Sequence, residues 1–326
     1  MKLIVLLLTC FFMSSCTYQK PQKLTLYAMD TIMDFTVYTD DKELLNKACE
    51  EIKKTEQDFS RFNENSDIYK LNNNNTAVLS PQTTEVIKTA LSISKKTDGA
   101  FDISVSPVLE LWGFYTKDYH IPTDKEISDT LPFVNYKAIT VKNNTISIPK
   151  GMEIDLGGIA KGYASDKVTG LLKNNGVTSA IISLGGNVHA IGSKPDNEPW
   201  KVGIRNPFTP SENIATLSVS DKAVITSGGY ERKFEENGKS YHHIIDPKTG
   251  KPAKSGLSSV TVISDNGIEA DALSTALYVM GLDKGVTYWQ ENQDFDVIFI
   301  TDDCKIHITP DLKDSIETKY SYSVIN

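Results

Sequence analysis

The chain has 326 residues, of which 40% are apolar and 23% charged, and its 34 basic against 42 acidic side chains give a formal net charge of −8. These fractions are typical of a globular protein with a sizeable core and exclude a disordered, collagen-like or polytopic membrane chain. The acidic balance argues against a general nucleic-acid binder, because nothing in it would systematically replace counterions along a phosphate backbone. We therefore expect no nucleic-acid partner.

The N-terminus has the pattern of an export signal. Lys2 gives a short positive start, and an apolar run follows from Leu3 to Leu8. The stretch Met13-Ser14-Ser15-Cys16 resembles a bacterial lipobox, in which the cysteine is lipidated and becomes the new N-terminus. A simple secretory signal without lipid is the alternative.

These features divide the chain into three parts. We expect a signal peptide over 1–15, a lipid-anchored polar tether over 16–23 and a folded domain over 24–326. The lipid on Cys16 would anchor the protein to a membrane of the cell envelope, facing the periplasm or the exterior.

Apolar periodicity predicts the main elements in chain order. The predicted elements are a β-hairpin over 24–38, helices from Leu44 toward Phe59, from Pro81 toward Gly99, over 159–173 and over 269–280, and strands over 179–184, 200–204, 215–219, 258–263 and 296–301. Strands and helices do not alternate regularly. We therefore predict an α+β fold, a single domain with substantial antiparallel sheet and packed helices.

Two cysteines remain once the signal and the lipid site are set aside. Cys49 and Cys304 both lie in apolar-patterned segments. Two distant thiols form neither a disulfide framework nor a metal site, so we predict buried free thiols. A Cys49–Cys304 disulfide in the oxidising envelope is the alternative.

A glycine-rich stretch at 155–163, Asp-Leu-Gly-Gly-Ile-Ala-Lys-Gly-Tyr, enters the predicted helix. Glycines let the backbone approach a ligand closely, and free N–H groups at a helix start suit phosphate. The stretch could equally be a tight turn from strand to helix. It matches neither a Walker loop nor a dinucleotide fingerprint.

Asp271 and Thr275 are four residues apart and therefore share one face of the predicted helix over 269–280. A carboxylate beside a hydroxyl is a hard oxygen site of the kind that Mg²⁺ accepts, with phosphate oxygens and waters completing it. An aspartate that stabilises the start of a helix is the structural alternative.

His242 and His243 precede an Asp-Pro-Lys-Thr-Gly turn at 246–250. Histidine can act as a general base near neutral pH, although a lone histidine is more often structural. Adjacent histidines without a third well-spaced ligand do not match a zinc signature.

Aromatic and polar residues in two further segments could frame a planar heterocycle. One segment runs over 99–102 and continues to Trp112, and the other is Ser60-Arg61-Phe62-Asn63. Taken singly, these aromatics are typical core residues.

Together and in this order, the segments resemble the ApbE family of FAD:protein FMN transferases, from about Leu24 to about Leu282. The matching segments are Met29-Asp30-Thr31, Ser60-Arg61-Phe62 with Ser66, 99–102, 155–163, 183–187, 226–232, 243–250 and 270–277. Two residues depart from the family pattern. Asp30 stands where the family usually has Gly, and Asn187 stands where Asp is common.

The resemblance implies Mg²⁺-dependent transfer of FMN from FAD to a Thr or Ser hydroxyl of an acceptor protein, with release of AMP. The acceptors would be envelope flavoprotein subunits of membrane redox complexes. Hydrolysis of FAD to FMN and AMP, or FAD binding without catalysis, are the alternatives. A purely structural lipoprotein would leave the ordered motifs unexplained.

The resemblance also assigns roles to residues. His243 would activate the acceptor hydroxyl, with His242 as the fallback. The metal ligands would be Asp271, Ser274, Thr275 and the Ala160 carbonyl. FAD would be bound by Met29, Phe62, Ala100, Phe101, Asp102, the Gly157 backbone, Lys161, Tyr163 and Ile245.

Overall fold

A β-hairpin begins the part of the chain that the computed structural model describes, residues 20–326. Its strands, Pro21–Ala28 and Thr31–Tyr38, pair in register up to the two-residue turn of Met29 and Asp30. Both turn residues have left-handed backbone, with φ of 49° and 58°, as a two-residue hairpin turn requires. The turn therefore projects Met29 and Asp30 from the end of the hairpin.

The hairpin begins three residues earlier than the sequence predicted. Residues 21–23, expected in the tether over 16–23, pair with the second strand instead, because backbone pairing tolerates their polar side chains on an exposed edge. The predicted signal peptide over 1–15 and the lipid on Cys16 lie outside the described residues. No helix within the described range is long and apolar enough to cross a membrane.

The described residues contain eight α-helices. They are α1 (Glu43–Phe59), α2 (Asp67–Asn74), α3 (Pro81–Lys96), α4 (Ser106–Leu111), α5 (Asp124–Thr130), α6 (Ala160–Asn174), α7 (Gly267–Met280) and α8 (Leu282–Glu291).

Nineteen strands accompany them in the same residues. They are β1 (Pro21–Ala28), β2 (Thr31–Tyr38), β3 (Thr76–Val78), β4 (Thr140–Lys142), β5 (Thr145–Ser147), β6 (Ala180–Leu184), β7 (Asn187–Ile191), β8 (Trp200–Arg205), β9 (Asn213–Val219), β10 (Ala223–Gly228), β11 (Lys233–Glu236), β12 (Lys239–His242), β13 (Ile245–Asp246), β14 (Lys251–Pro252), β15 (Leu257–Ser264), β16 (Asp296–Thr301), β17 (Ile306–Ile308), β18 (Ile316–Glu317) and β19 (Tyr322–Val324).

The main sheet has the strand order β1-β2-β6-β7-β10-β15-β16-β17-β19. Its pairs are antiparallel except the last, β17 with β19. Helices cover one face of its centre, where Val260 and Val262 of β15 pack with residues of α3, α7 and α8. The opposite face, which includes Ile263, packs against the small sheet β18-β9-β8. The central strands are thus buried on both faces.

The predicted α+β class with substantial antiparallel sheet and packed helices is confirmed. The helices predicted over 159–173 and 269–280 are α6 and α7, and the five strands predicted after the hairpin are all present, with ends shifted by at most two residues. The shorter helices α2, α4 and α5, together with α8, were not predicted. Apolar periodicity is weak over the one or two turns of α2, α4 and α5, so the formation of these three helices depends on tertiary packing.

The two remaining cysteines are free, as predicted. Each is only partly buried, however, so the prediction that the thiols are buried is wrong. Partial burial in α1 raises the pKa of the Cys49 thiol, which disfavours its reactive thiolate form.

Candidate active site

The side chain of Asp155 stabilises the turn that precedes α6 by accepting two hydrogen bonds. Tyr115 Oη donates to Asp155 Oδ2 at 2.9 Å, and the Gly157 N–H donates to the other carboxylate oxygen. The Gly157 amide, which was predicted to bind phosphate, therefore donates its hydrogen bond to Asp155 in this structure. The next residue, Gly158, lies against Phe101 and Thr275, since a Cβ built there would be 3.1 Å and 3.9 Å from them.

α6 and α7 cross at Gly162. A Cβ on Gly162 would lie 2.2 Å from the Gly267 carbonyl oxygen and 2.7 Å from Asp271 Cβ. Only glycine allows this approach, which brings the Gly162 N–H within 2.9 Å of Asp271 Oδ2. The crossing thus places the α7 carboxylate at the start of α6.

Asp271 is 4% exposed. Its carboxylate also accepts a hydrogen bond from a residue of the main sheet. Gly185 and Gly186, with φ of 63° and 94°, form the tight turn between β6 and β7. This turn places Asn187 so that its Nδ2 donates to Asp271 Oδ1 at 3.0 Å. Both carboxylate oxygens therefore have a fixed position.

The hydroxyls of Ser274 and Thr275 lie one turn of α7 after this carboxylate, and a third hydroxyl comes from β10. Ser227 Oγ of β10 lies 2.8 Å from Ser274 Oγ and 3.1 Å from Thr275 Oγ1. Ser274 is fully buried and donates to the Asp271 carbonyl at 2.8 Å. Ala160, whose carbonyl is the fourth predicted metal ligand, is the first residue of α6 and is 4% exposed.

The donor chemistry here fits a hard cation. Within residues 20–326, no cationic side chain forms an ion pair with Asp271, and buried charges are normally paired or coordinate a metal. Burial raises the pKa of Asp166 and of Glu231, and the negative charge of Asp271 raises both further. One carboxylate with hydroxyl and carbonyl oxygens is a set that Mg²⁺ accepts when phosphate and water complete it.

A cluster of three or more His, Cys, Asp or Glu side chains suited to a metal is absent from the described part of the chain. The predicted magnesium set contains only one such side chain, Asp271, so its donors are mainly hydroxyl and carbonyl oxygens.

The two adjacent histidines have different partners. The His243 N–H donates to the Arg232 carbonyl oxygen at 3.0 Å, and Nδ1 of the ring lies 3.2 Å from the same oxygen. Because a carbonyl can only accept, the proton is assigned to Nδ1 and the lone pair to Nε2. In His242, by contrast, Nε2 donates to the carbonyl oxygen of Ala253, at 3.2 Å.

His243 is neutral at pH 7. Burial, with the positive charges of Arg232 and Lys161, lowers the pKa of its imidazole to about 3. Burial raises the pKa of Glu231, and the positive charge of Lys161 opposes this rise. The start of α6, which carries Lys161, is therefore electrostatically coupled to the histidine candidate.

The predicted FAD contacts are distributed over several surfaces. Phe62 is 65% exposed and meets the Tyr115 ring edge-on, with 5.9 Å between centroids. Ala100 and Phe101 are buried in the main core. Both oxygens of the Asp102 carboxylate accept structural hydrogen bonds, from Ser104 and from the Tyr136 N–H.

A cavity of about 370 Å³ joins two of the predicted segments. Its lining is Asp98, Gly99, Asp102, Leu131, Val134, Asn135, Tyr136, Lys137, Pro247 and Lys248. Tyr163 is elsewhere, since it packs on Phe59 and lines a separate cavity of about 130 Å³. Ile245 is buried in a small apolar cluster with Trp112. The structure therefore does not bring all predicted FAD contacts into one cavity.

Three further residues of the site were not predicted. Ser227 lies in the matching segment 226–232, so its hydroxyl could have been proposed from the sequence. Asn187 was noted only as a departure from the family pattern, although it binds Asp271. Tyr115 has no sequence signal, because its contact with Asp155 spans 40 residues.

The fold and this arrangement define an α+β protein with a buried carboxylate and hydroxyl site at the start of a glycine-rich helix. The ApbE family model matches residues 29–299, and the chain belongs to the ApbE family. A FAD:protein FMN transferase of Klebsiella pneumoniae is 33% identical over 272 residues, which cover 81% of this chain and 84% of the relative.

Solved structures agree with this membership. The ApbE protein of Thermotoga maritima superposes with a TM-score of 0.85 at 33% identity, covering 90% of this chain and 98% of that one. The flavin transferase ApbE of Vibrio cholerae gives a TM-score of 0.79 at 28% identity, covering 91% and 99%.

The helix crossing makes a prediction about stability. Gly162→Ala should lower the free energy of unfolding by about 2 kcal/mol or more, because the added methyl meets backbone on α7 and Asp271 itself. Urea denaturation measures this change. Gly170→Ala is the matched control on the same helix, where no atom lies within 4 Å of the new Cβ, and it should stabilise by about 0.5–1 kcal/mol. Equal effects of the two variants would refute the close crossing.

Proposed function

We propose that this chain is a Mg²⁺-dependent FAD:protein FMN transferase that attaches FMN to a Thr or Ser hydroxyl of an acceptor flavoprotein. The observation that carries the proposal is the buried Asp271 carboxylate, fixed by Gly162 and Asn187 beside the Ser274 and Thr275 hydroxyls. Family membership and the names of the relatives support the same activity.

Asp271, Ser274, Thr275 and the Ala160 carbonyl would hold the Mg²⁺ ion. An ion held by these residues would polarise a phosphoryl group and would neutralise charge on the departing AMP. The chain's own contribution is to orient the carboxylate through its hydrogen bonds to Gly162 and Asn187. The pyrophosphate would lie at the turn before α6, with Lys161 adding positive charge.

The proposed reaction is a phosphoryl transfer that balances without a redox partner. The acceptor hydroxyl oxygen forms a bond to the phosphorus on the FMN side of FAD, and the bond from this phosphorus to the AMP phosphate breaks. The hydroxyl proton passes to His243 Nε2, and AMP leaves. The product is FMN joined to the acceptor through a phosphoester.

His243 suits the role of base better than His242 does. Its Nδ1 proton is directed to the Arg232 carbonyl, which leaves the Nε2 lone pair available. Nε2 of His242 faces the Ala253 carbonyl and lies 3.4 Å from Tyr278 Oη. A pKa of about 3 keeps the His243 imidazole neutral, and an anionic substrate beside Lys161 would raise that pKa toward the range of an effective base.

The cavity of about 370 Å³ is the candidate site for one ring system of FAD. It combines the Tyr136 ring and apolar Leu131 and Val134 with the polar Asn135 and Lys137, a mixture typical of ligand pockets. Met29 and Phe62 are proposed contacts outside this cavity. Tyr163 and Ile245 remain predictions from the family resemblance.

The proposed location is the cell envelope. A lipid on Cys16 would leave only a few residues before β1 begins at Pro21, so the domain would stay within a few nanometres of the membrane. The proposed acceptors are therefore envelope flavoprotein subunits of membrane redox complexes exposed on the same side.

The metal role predicts the behaviour of an isosteric variant. Asp271→Asn keeps the shape of the side chain but removes its charge, so it should reduce FMN transfer at least about 100-fold, and EDTA should do the same to the wild type. In-gel flavin fluorescence of the acceptor measures transfer. Asp283→Asn, which removes an exposed carboxylate from the first turn of α8, should transfer normally. Full activity of Asp271→Asn would contradict the metal assignment.

The base role predicts a difference between the two histidines. His243→Ala should lower kcat by a factor of about 10² to 10⁴ with little change in FAD affinity. His242→Ala should have a smaller effect on kcat and a larger one on melting temperature, because it removes contacts to Ala253 and Tyr278. Rapid-quench transfer assays and isothermal titration with FAD separate these outcomes. The reverse pattern would assign the role to His242.

The lipid predicts where the protein is found. Cys16→Ser should release the protein from the membrane fraction without changing transfer in vitro, since the substitution lies outside the domain. Fractionation with immunoblotting measures this. A wild-type chain that stays in the cytoplasm with residues 1–15 attached would overturn the localisation.

A further inference from the structure

An exposed ion pair joins the first hairpin to the start of β11. Arg232 Nη2 lies 3.2 Å from Asp30 Oδ2, across a separation of 202 residues in the chain. Tyr27 Oη donates to the other oxygen of Asp30 at 3.0 Å. The Asp30 side chain is 57% exposed and that of Arg232 54%.

Both ends of this ion pair are attached to the rest of the site. On one side, the N–H of the neighbouring Met29 donates to Glu56 Oε1 of α1 at 2.6 Å, which fixes the hairpin turn. On the other side, the Arg232 carbonyl accepts from both the N–H and Nδ1 of His243. A continuous series of contacts thus runs from α1 through Asp30 and Arg232 to the imidazole.

The exposure of the pair limits its contribution to overall stability. Exposed ion pairs typically contribute little to folding, and Lys125–Asp129 on α5 is an ordinary example within one helix. The Asp30–Arg232 pair differs because it connects two separate segments at the candidate site. Its effect should therefore appear in the geometry of those segments rather than in the melting temperature.

We propose that Asp30 and Arg232 are positioning residues for FMN transfer, which hold the Arg232 carbonyl where it keeps His243 in the tautomer with a free Nε2. This inference rests on the proposed role of His243 as the base. A neutral imidazole carries its proton on one nitrogen only, and a proton on Nε2 would prevent that atom from accepting another. A displaced Arg232 carbonyl removes the constraint that directs the proton to Nδ1.

Two kinds of variant test the pair. Asp30→Asn removes the charge, and asparagine is compatible with the left-handed backbone of the turn. Arg232→Met removes the guanidinium and keeps the backbone carbonyl. Arg232→Lys restores a positive charge. Asp129→Asn, which breaks the exposed pair on α5, is the matched control.

The first readout is the tautomer itself, measured on the full chain without FAD or acceptor. In ¹⁵N-histidine spectra, with the His243 signals identified by their loss in His243→Gln, the wild type should show a protonated Nδ1 and an unprotonated Nε2. Asp30→Asn and Arg232→Met should both increase the population with protonated Nε2. Arg232→Lys and Asp129→Asn should retain the wild-type spectrum.

The second readout is kinetic and uses FAD, Mg²⁺ and the purified envelope flavoprotein subunit that the wild type labels. Asp30→Asn and Arg232→Met should each lower kcat about two- to fivefold with an unchanged KM for FAD, a size that an exposed ion pair can supply. The double variant should be no slower than the slower single variant, because both act through one contact.

Unchanged tautomer populations in Asp30→Asn and Arg232→Met would overturn the inference, as would additive losses of kcat in the double variant. These outcomes differ from failure of the proposed function. That failure would appear as full transfer by His243→Ala, whatever the behaviour of Asp30 and Arg232.

Discussion

The buried carboxylate of Asp271 is the point at which distant parts of the chain meet. The Gly162 N–H reaches it from α6, and Asn187 reaches it from the turn between β6 and β7. A buried charge without an ion pair is costly unless hydrogen bonds and a bound cation compensate for it. The two hydrogen bonds orient the carboxylate, and the proposed Mg²⁺ would supply the missing positive charge.

The helix crossing explains why the surrounding groups are also in place. Because Gly162 and Gly267 lack side chains, α6 and α7 approach closely enough to share this carboxylate. α7 also packs against β10, which brings Ser227 to the hydroxyls of Ser274 and Thr275. One close contact between backbones therefore fixes the start of the glycine-rich helix relative to the centre of the main sheet.

Local patterns predicted those parts of the fold and the site that depend on neighbours in sequence. The spacing of Asp271 and Thr275 on one helix face is an example, and the long helices α6 and α7 are others. The partners of Asp271 could not be predicted, because Asn187 lies 84 residues away and its role depends on strand order. The predicted start of β1 was wrong by three residues for a similar reason. Pairing with β2, rather than the apolar pattern of β1, determines where this strand begins.

The stoichiometry of AMP to protein-bound FMN tests the central claim most directly. The full chain would be incubated with FAD, Mg²⁺ and purified envelope flavoprotein subunits from the same cell, with AMP measured by chromatography and bound FMN by intact-protein mass. We expect one AMP for each FMN attached to an acceptor. Release of AMP with an equal amount of free FMN and no increase in acceptor mass would show a FAD hydrolase and contradict the account.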